Sequence, residues 1–345
     1  MSWNSLTPES TPQRNARPTI GLLIQMLAGL HGYVASLWAG VLDAAEQYDA
    51  NLFCLVGGGI NGFPTDKYQV QGNVLYELAQ RGNIHGLIVN PTLSHYVSPE
   101  QFDAFCRRYR PRPIVGAGLR VKGSPSVLVD NAGGLRRAVE HLIQAHGYRQ
   151  IAFIGGPASN AEARLRYQVY AQVLAEHGLP LEPALVAPGD FTVPAGEKAI
   201  PLLLDERQAK FRAIVAANDN MARGAMDALQ ARGIRVPHDV AIVGFDDTEE
   251  ARVCTPALTT VRQPISELGQ RAVEMLLALL AGKPVAEETT LPTELVVHES
   301  CGCLDPVTVQ AAQQSAEGAQ QSQHAAQDLA QLADQLQLAV AQYHT

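Results

Sequence analysis

The chain predicts an α/β fold made of two doubly wound parallel-sheet lobes with a ligand cleft between them and a C-terminal helix beyond. Three observations predict it. Short, continuously apolar runs alternate with amphipathic stretches of helical length along most of the 345 residues. Such runs are strands buried on both faces of a parallel sheet, and the stretches between them are crossover helices. Several strands end in Asn, Asp or Gly, at the sheet edge where open α/β folds bind small ligands. The pattern restarts near residue 148 and recrosses near 262 and 290. It divides into a leader (1–16), an N-terminal lobe (17–147 plus 262–288), a C-terminal lobe (148–261 plus 289–303) and a helical tail (307–345).

The elements follow in order. TIGLLIQML, from Thr19, is a buried strand, and residues 33–48 form a helix with an apolar stripe. NLFCLVGG is a strand closed by a glycine loop, with Cys54 as a small buried hydrophobe. Residues 73–81 read as a helix, IHGLIVNP as a strand, 99–109 as a helix and RPIVGAGL as a strand. SVLVDN leads into the helix GGLRRAVEHLIQAHG, stopped by Gly147. RQIAFIGGP is a strand, followed by a helix over 161–177, the strand end PALVAPGDF and a helix over 196–205. FRAIVAAN then ends in Asn218-Asp219, MARGAMDALQARG is a helix, and DVAIVGFDD ends in Asp246-Asp247. A linker, TPALTTVRQP, precedes a long amphipathic helix over 266–280.

Composition narrows the function classes. Hydrophobic residues make up 46% and charged residues 17%, which suits a globule with two cores. The formal net charge is −8 and no basic face is apparent, which argues against direct duplex binding by this chain. The clusters around Arg107–Arg112 and at Arg136-Arg137 read as solvated charge. Five cysteines show no secreted-framework spacing, and Cys301-Gly302-Cys303 is tighter than the usual zinc CxxC, so no metal is expected. The N-terminus lacks the charged-then-apolar signature of a signal peptide and no apolar run reaches membrane length, so the expected location is cytoplasmic, without membrane contact. No nucleophile–base pair accompanies the strand-end polar residues, so binding rather than turnover is expected, without a cofactor. Gly57, Gly59 and Gly62 spell GxGxxG, the dinucleotide alternative, but they follow the second strand and Pro64 stands where the helix should run.

The segments ANDNMARGAM, VAIVGFDDTE, TPALTTVRQP, LPTELVVHES and EARLRYQVYAQVL together closely resemble the effector domain of the LacI/GalR repressor family, over residues 17–303. That resemblance implies the type I periplasmic-binding-protein fold, a small-molecule effector such as a sugar or nucleoside, and a homodimer. It implies five ligand-binding positions. Arg166 would point its planar fork of donors into the cleft; the alternative is an i−4 pair with Glu162. Asp246 would accept ligand hydroxyls or a ring N–H, the alternative being a helix cap, with Asp247 at hand for that task. Asn218 would face ligand while Asp219 caps the following helix. Phe191 would stack on an apolar ligand face, and Tyr33 would come from the first strand–helix loop. Loops 25–34 and 90–99 are apolar or uncharged, so the N-lobe face of the cleft is expected to offer few polar partners.

In the family a helix-turn-helix headpiece precedes the effector domain, and sixteen polar leader residues are too few for one. The resemblance therefore implies a sensor for a transcription regulator; the close alternative is a sensor whose output lies beyond its C-terminus, and a transport receptor is a third class. The tail repeats Ala325, Leu329, Leu332, Leu336, Ala339 and Tyr343 at 4-3-4-3-4 spacing, a short heptad seam suited to a parallel dimer or to an isolated surface helix.

Overall fold

The computed structural model describes residues 17–25, 32–61, 69–80, 83–94 and 97–303, with six further helical positions between 314 and 325. The expected leader and nearly all of the heptad seam lie outside the described residues, as do Gly62 and Pro64 of the glycine loop.

The first lobe opens with β1 (Thr19–Gln25), α1 (Gly32–Gln47), β2 (Asn51–Gly57), α2 (Val74–Leu78), β3 (Gly86–Val89), α3 (Pro99–Arg107), β4 (Ile114–Ala117) and β5 (Ser126–Val129). The chain then enters the second lobe with α4 (Asn131–Gln144), β6 (Ile151–Ile154), α5 (Ala161–Glu176), β7 (Val186–Ala187), α6 (Val193–Pro201), β8 (Ala213–Ala216), α7 (Asp219–Gln230), β9 (Ala241–Val243), α8 (Glu249–Val253) and β10 (Thr260–Arg262). It returns for α9 (Ile265–Leu280) and β11 (Glu288–Leu291), and goes back once more in β12 (Glu294–Val296). The first sheet has the order β11-β5-β4-β3-β1-β2 and the second β7-β6-β8-β9, with every pairing parallel.

The two-residue period of β1 explains its unbroken apolar run. Ile20, Leu22 and Ile24 face a core shared with α1 and α9, while Leu23 faces one built with Tyr76, Phe105 and Tyr109. All seven residues of β1 are buried. Helices α1 and α9 approach closely because both are Gly-notched: a Cβ on Gly40 would fall within bonding distance of the Ser266 carbonyl oxygen.

Four expectations need correction. Helix α4 packs Leu135, Val139 and Leu142 into the core of the second lobe, so that lobe begins near 131 rather than 148. Strand β11 extends the first sheet through Glu288↔Ser126 to Leu291↔Val129, so the first lobe runs to about 291 rather than 288. The expected linker 255–264 contains β10, which pairs antiparallel with β12 in the register Val261↔Leu295. These two crossing strands, with the passage at Asp130, join the lobes. Finally, β2 is an edge strand, so Phe53 is 57% exposed and Cys54 only half-buried, where an apolar run alone suggested a covered strand.

Among the described residues no helix is long and apolar enough to cross a membrane.

Candidate functional site

Polar residues that follow the strands around the cleft serve first as helix caps. Asp130 Oδ1 accepts from the Gly133 N–H at 2.8 Å to start α4, and Asn160 Oδ1 accepts from the Ala163 N–H at 2.9 Å to start α5. Asn218 Oδ1 accepts from the Met221 N–H at 3.0 Å to start α7. The cap of α7 is therefore Asn218 and not Asp219. Asp219 is buried and accepts from the Thr260 hydroxyl at 2.5 Å and the Thr248 N–H at 2.9 Å, tying β8 to the hinge strand. Thr248, rather than Asp247, caps α8. Asp247 is instead gripped by Arg252 at 2.7 Å and Arg262 at 2.5 Å.

A cavity of about 380 Å³ lies between the lobes. Tyr33, Arg166, Phe191, Asn218 and Asp246 all line it, so the five expected positions meet in one place. A second hollow of about 440 Å³ shares Pro91 and Glu162 with it. There the other charged groups are spent within the protein: Arg120 pairs with Glu288, Arg164 donates to Ala158 and Ser159, and Asp130 caps α4. The chemistry is concentrated in the first cavity.

Arg166 is its centre. It is only 3% exposed, which excludes a surface pair with Glu162. Its Nε donates to Asn131 Oδ1 at 2.8 Å and its Nη1 to the Ala217 carbonyl at 2.5 Å. The guanidinium lies 3.7 Å from the centre of the Phe245 ring and 3.9 Å from Asp246 Oδ1. Two of its donors are thus used by the fold, and the rest of the fork remains for the cavity.

Asp246 accepts from Gln263 Nε2 at 2.5 Å. Burial raises its carboxyl to about 8, against the pull of the Arg166 charge, and the neighbouring carboxyls of Asp219 and Glu162 push the same way. Burial likewise raises Glu162, which accepts from Asn131 Nδ2 at 2.9 Å. Backbone strain gathers here too: φ is +132° at Asp246, +58° at Asp247 and +69° at Phe191. The Phe191 ring fits only because residue 156 is glycine, since a Cβ there would lie 2.5 Å from it. The Phe191 carbonyl accepts from Asn218 Nδ2 at 3.1 Å and from Asn220 Nδ2 at 3.3 Å. Two buried polar atoms at the cavity, Tyr33 Oη and Gln263 Oε1, find no hydrogen-bond partner among the described residues. Burial also raises the Tyr33 phenol, with Glu162 and Asp246 adding to the effect.

The first lobe contributes Gly32, Tyr33, Pro91 and Thr92 to the lining, so its described polar share is two hydroxyls. Residues 26–31 and 95–96 of its loops lie outside the described residues. Asn131, Glu162 and Gln263 escaped the sequence reading. A strand-ending Asp130-Asn131 pair like Asn218-Asp219 was the available signal for the first, and the hinge position of Gln263 could not be seen before β10 was placed.

Comparison with known proteins settles the family. Residues 139–301 match the periplasmic binding protein-like domain. The crystallised lac repressor dimer, bound to operator and the anti-inducer ONPF, superposes with a TM-score of 0.69 at 30% identity, covering 83% of this chain and 95% of that one. The chain belongs to the LacI/GalR family. The regulator AscG of Escherichia coli is 37% identical over 191 residues, 55% of this chain and 56% of AscG. The CelR–cellobiose complex gives a TM-score of 0.70 at 28% identity, covering 82% and 85%. The chain spans about half the length of curated relatives such as AscG and CytR. The family is one of transcription regulators, not of enzymes.

Proposed function

We propose that this chain senses a small polyhydroxylated effector in the interlobe cavity and passes closure of its lobes to a dimeric transcriptional output. The observation that carries the reading is the set of unsatisfied and polar groups around one cavity: Tyr33 Oη, Gln263 Oε1, the open side of Arg166 and the Asp246 carboxyl. Unpaired buried polar atoms are costly unless something fills the space between them. Hydroxyls suit all four, since each donates to a carboxyl or amide oxygen and accepts from a guanidinium or phenol. The Phe191 ring offers the apolar face that a pyranose or a nucleobase needs. Cellobiose in the CelR complex supports a sugar, whereas the low polar content of the first-lobe lining among the described residues favours a ligand with one apolar side.

Dimerisation through the first lobe is supported by exposed apolar side chains on adjacent elements: Phe53 on β2 with Val74 and Leu78 on α2, each more than half exposed. The acidic balance, with a net charge of −8, supports a chain that does not itself grip duplex DNA, and its transcription-regulator relatives support work in the cytoplasm. Native mass spectrometry of the purified protein tests the reading. A dimer carrying a co-purified sugar or nucleoside is expected; a monomer that stays unliganded and unresponsive to both classes contradicts it.

A further inference from the structure

Four metal-ligating side chains converge in the second lobe, away from the cleft. His141 sits in the last turn of α4, and His146 follows as the chain turns back through Gly147, whose φ is +70°. Cys301 and Cys303 come from the end of the lobe, on either side of Gly302, whose φ of +103° turns both thiols to one side. The ligand atoms all lie within 4.8 Å of one another. His141 Nε2 is 3.3 Å from His146 Nε2, 3.4 Å from Cys301 Sγ and 3.7 Å from Cys303 Sγ; Cys303 Sγ is 3.4 Å from His146 Nε2. A tetrahedral zinc ion, with the usual Zn–N and Zn–S bonds, places two nitrogens about 3.4 Å apart and nitrogen and sulfur about 3.6 Å apart. These four distances match the corresponding edges of that tetrahedron.

The ligands are also held for the task. Cys301 is fully buried, and its neighbour Ser300 is locked by donating to the Ile242 carbonyl at 2.6 Å while accepting from the Thr259 N–H at 2.8 Å. The His146 ring stacks on Tyr148 at 5.6 Å. A Cβ at position 302 would lie in ordinary contact with the His146 ring, 3.5 Å from its Cε1 and Nδ1, so it is the positive φ of Gly302 that calls for glycine there. Hydrogen bonding alone is a poor reason for this gathering, because thiols are weak donors and acceptors. The spacing His-x4-His falls within the zinc range, and only the Cys-x-Cys half is unusual.

We propose that His141, His146, Cys301 and Cys303 form a closed, structural site for zinc. The two thiols each release a proton on binding, leaving a neutral N2S2 centre with no open position for catalysis. The ion staples the segment by which the chain leaves the lobe to the end of α4. The other end of α4 carries Asn131, which holds Arg166 in the cleft. Metal and effector sites would therefore share one rigid helix.

Elemental analysis of the full chain, purified without a polyhistidine tag under reducing conditions, tests this, together with the visible spectrum of the cobalt-substituted protein. A zinc ion per chain and an intense tetrahedral cobalt–thiolate spectrum are expected. Cys303→Ser and His146→Ala should each weaken metal binding more than about 100-fold, beyond the effect of losing an outer-shell partner. Cys254→Ser, a thiol outside the cluster, should keep the metal. If the cluster variants fail to fold, the cobalt spectrum of the unaltered chain decides alone. Failure to take up added zinc, a weak octahedral cobalt spectrum, or a Cys301–Cys303 disulfide in the reduced preparation would each overturn the proposal, as would metal loss in Cys254→Ser.

Discussion

Replacing Arg166 with Met should destabilise the ligand-free protein by about 3–5 kcal/mol at neutral pH, the cost of breaking a buried charge network by removing one partner. The size follows from what the guanidinium touches. It makes two charge-assisted hydrogen bonds, to Asn131 and to the Ala217 carbonyl, each worth about 1.5–3 kcal/mol. It also lies over the Phe245 ring, a contact worth about 2 kcal/mol when desolvated. These gross gains exceed the net because burying the cation costs several kcal/mol. Asp246 limits the damage because burial already favours its neutral form, so little uncompensated negative charge is left behind. Urea denaturation of the two apo proteins at pH 7 measures the difference. The double variant Arg166→Met/Asp246→Asn should recover at least about 1 kcal/mol relative to the sum of the single changes, since the groups are coupled. A single variant within 1 kcal/mol of wild type would refute the reasoning and return Arg166 to a purely ligand-facing role. The sequence alone suggests an affinity loss of about 1.5–3 kcal/mol in Arg166→Ala without unfolding of the domain, and gives no sign of the stability cost.

Other outcomes follow from the same geometry. Because burial raises the Asp246 carboxyl to about 8 and that of Asp219 to about 6, both are protonated when folded at acidic pH and must ionise as pH rises. Their stabilising effect is complete below the unfolded value near 4 and is lost as pH climbs through the folded values, so apo stability should fall between about pH 4 and 8. Asp246→Asn should flatten that fall in a series of chemical denaturations. Asn218→Ala removes the cap of α7 and should cost about 1 kcal/mol by the same method, and more if the Phe191 turn loosens. Gly40→Ala should force α1 from α9 and lower stability by about 1–3 kcal/mol, seen as an earlier thermal transition.

The fold was legible because continuous apolar strands and regularly spaced helices carry the architecture in local pattern. Thr19–Gln25 and Ala213–Ala216 are strands that could not bury themselves otherwise. The five cleft residues were legible through the family resemblance, which carries over because each follows a strand end or lies on the helix after one, a position fixed by topology. The lobe boundaries were less so. Helix α4 follows β5 directly, and nothing in its apolar stripe says which core receives it. Hinge strands β10 and β12 are three residues each, and pairing across 32 or more residues leaves no local periodicity. The dual use of Arg166 was hidden because its partners, Asn131 and Ala217, come from two other elements. The His141, His146, Cys301 and Cys303 cluster was hidden for the same reason, since its halves are about 155 residues apart in the sequence.

The central claim is that the interlobe cavity holds an effector against Arg166 and Asp246. Thermal denaturation of wild type and Asp246→Asn across a panel of sugars and nucleosides tests it most directly, because a ligand at about 100 times its Kd stabilises the folded state by about 2.7 kcal/mol. A compound that raises the transition of wild type and leaves Asp246→Asn unmoved is the predicted result. Equal shifts in both proteins, placing the ligand elsewhere, would contradict the account.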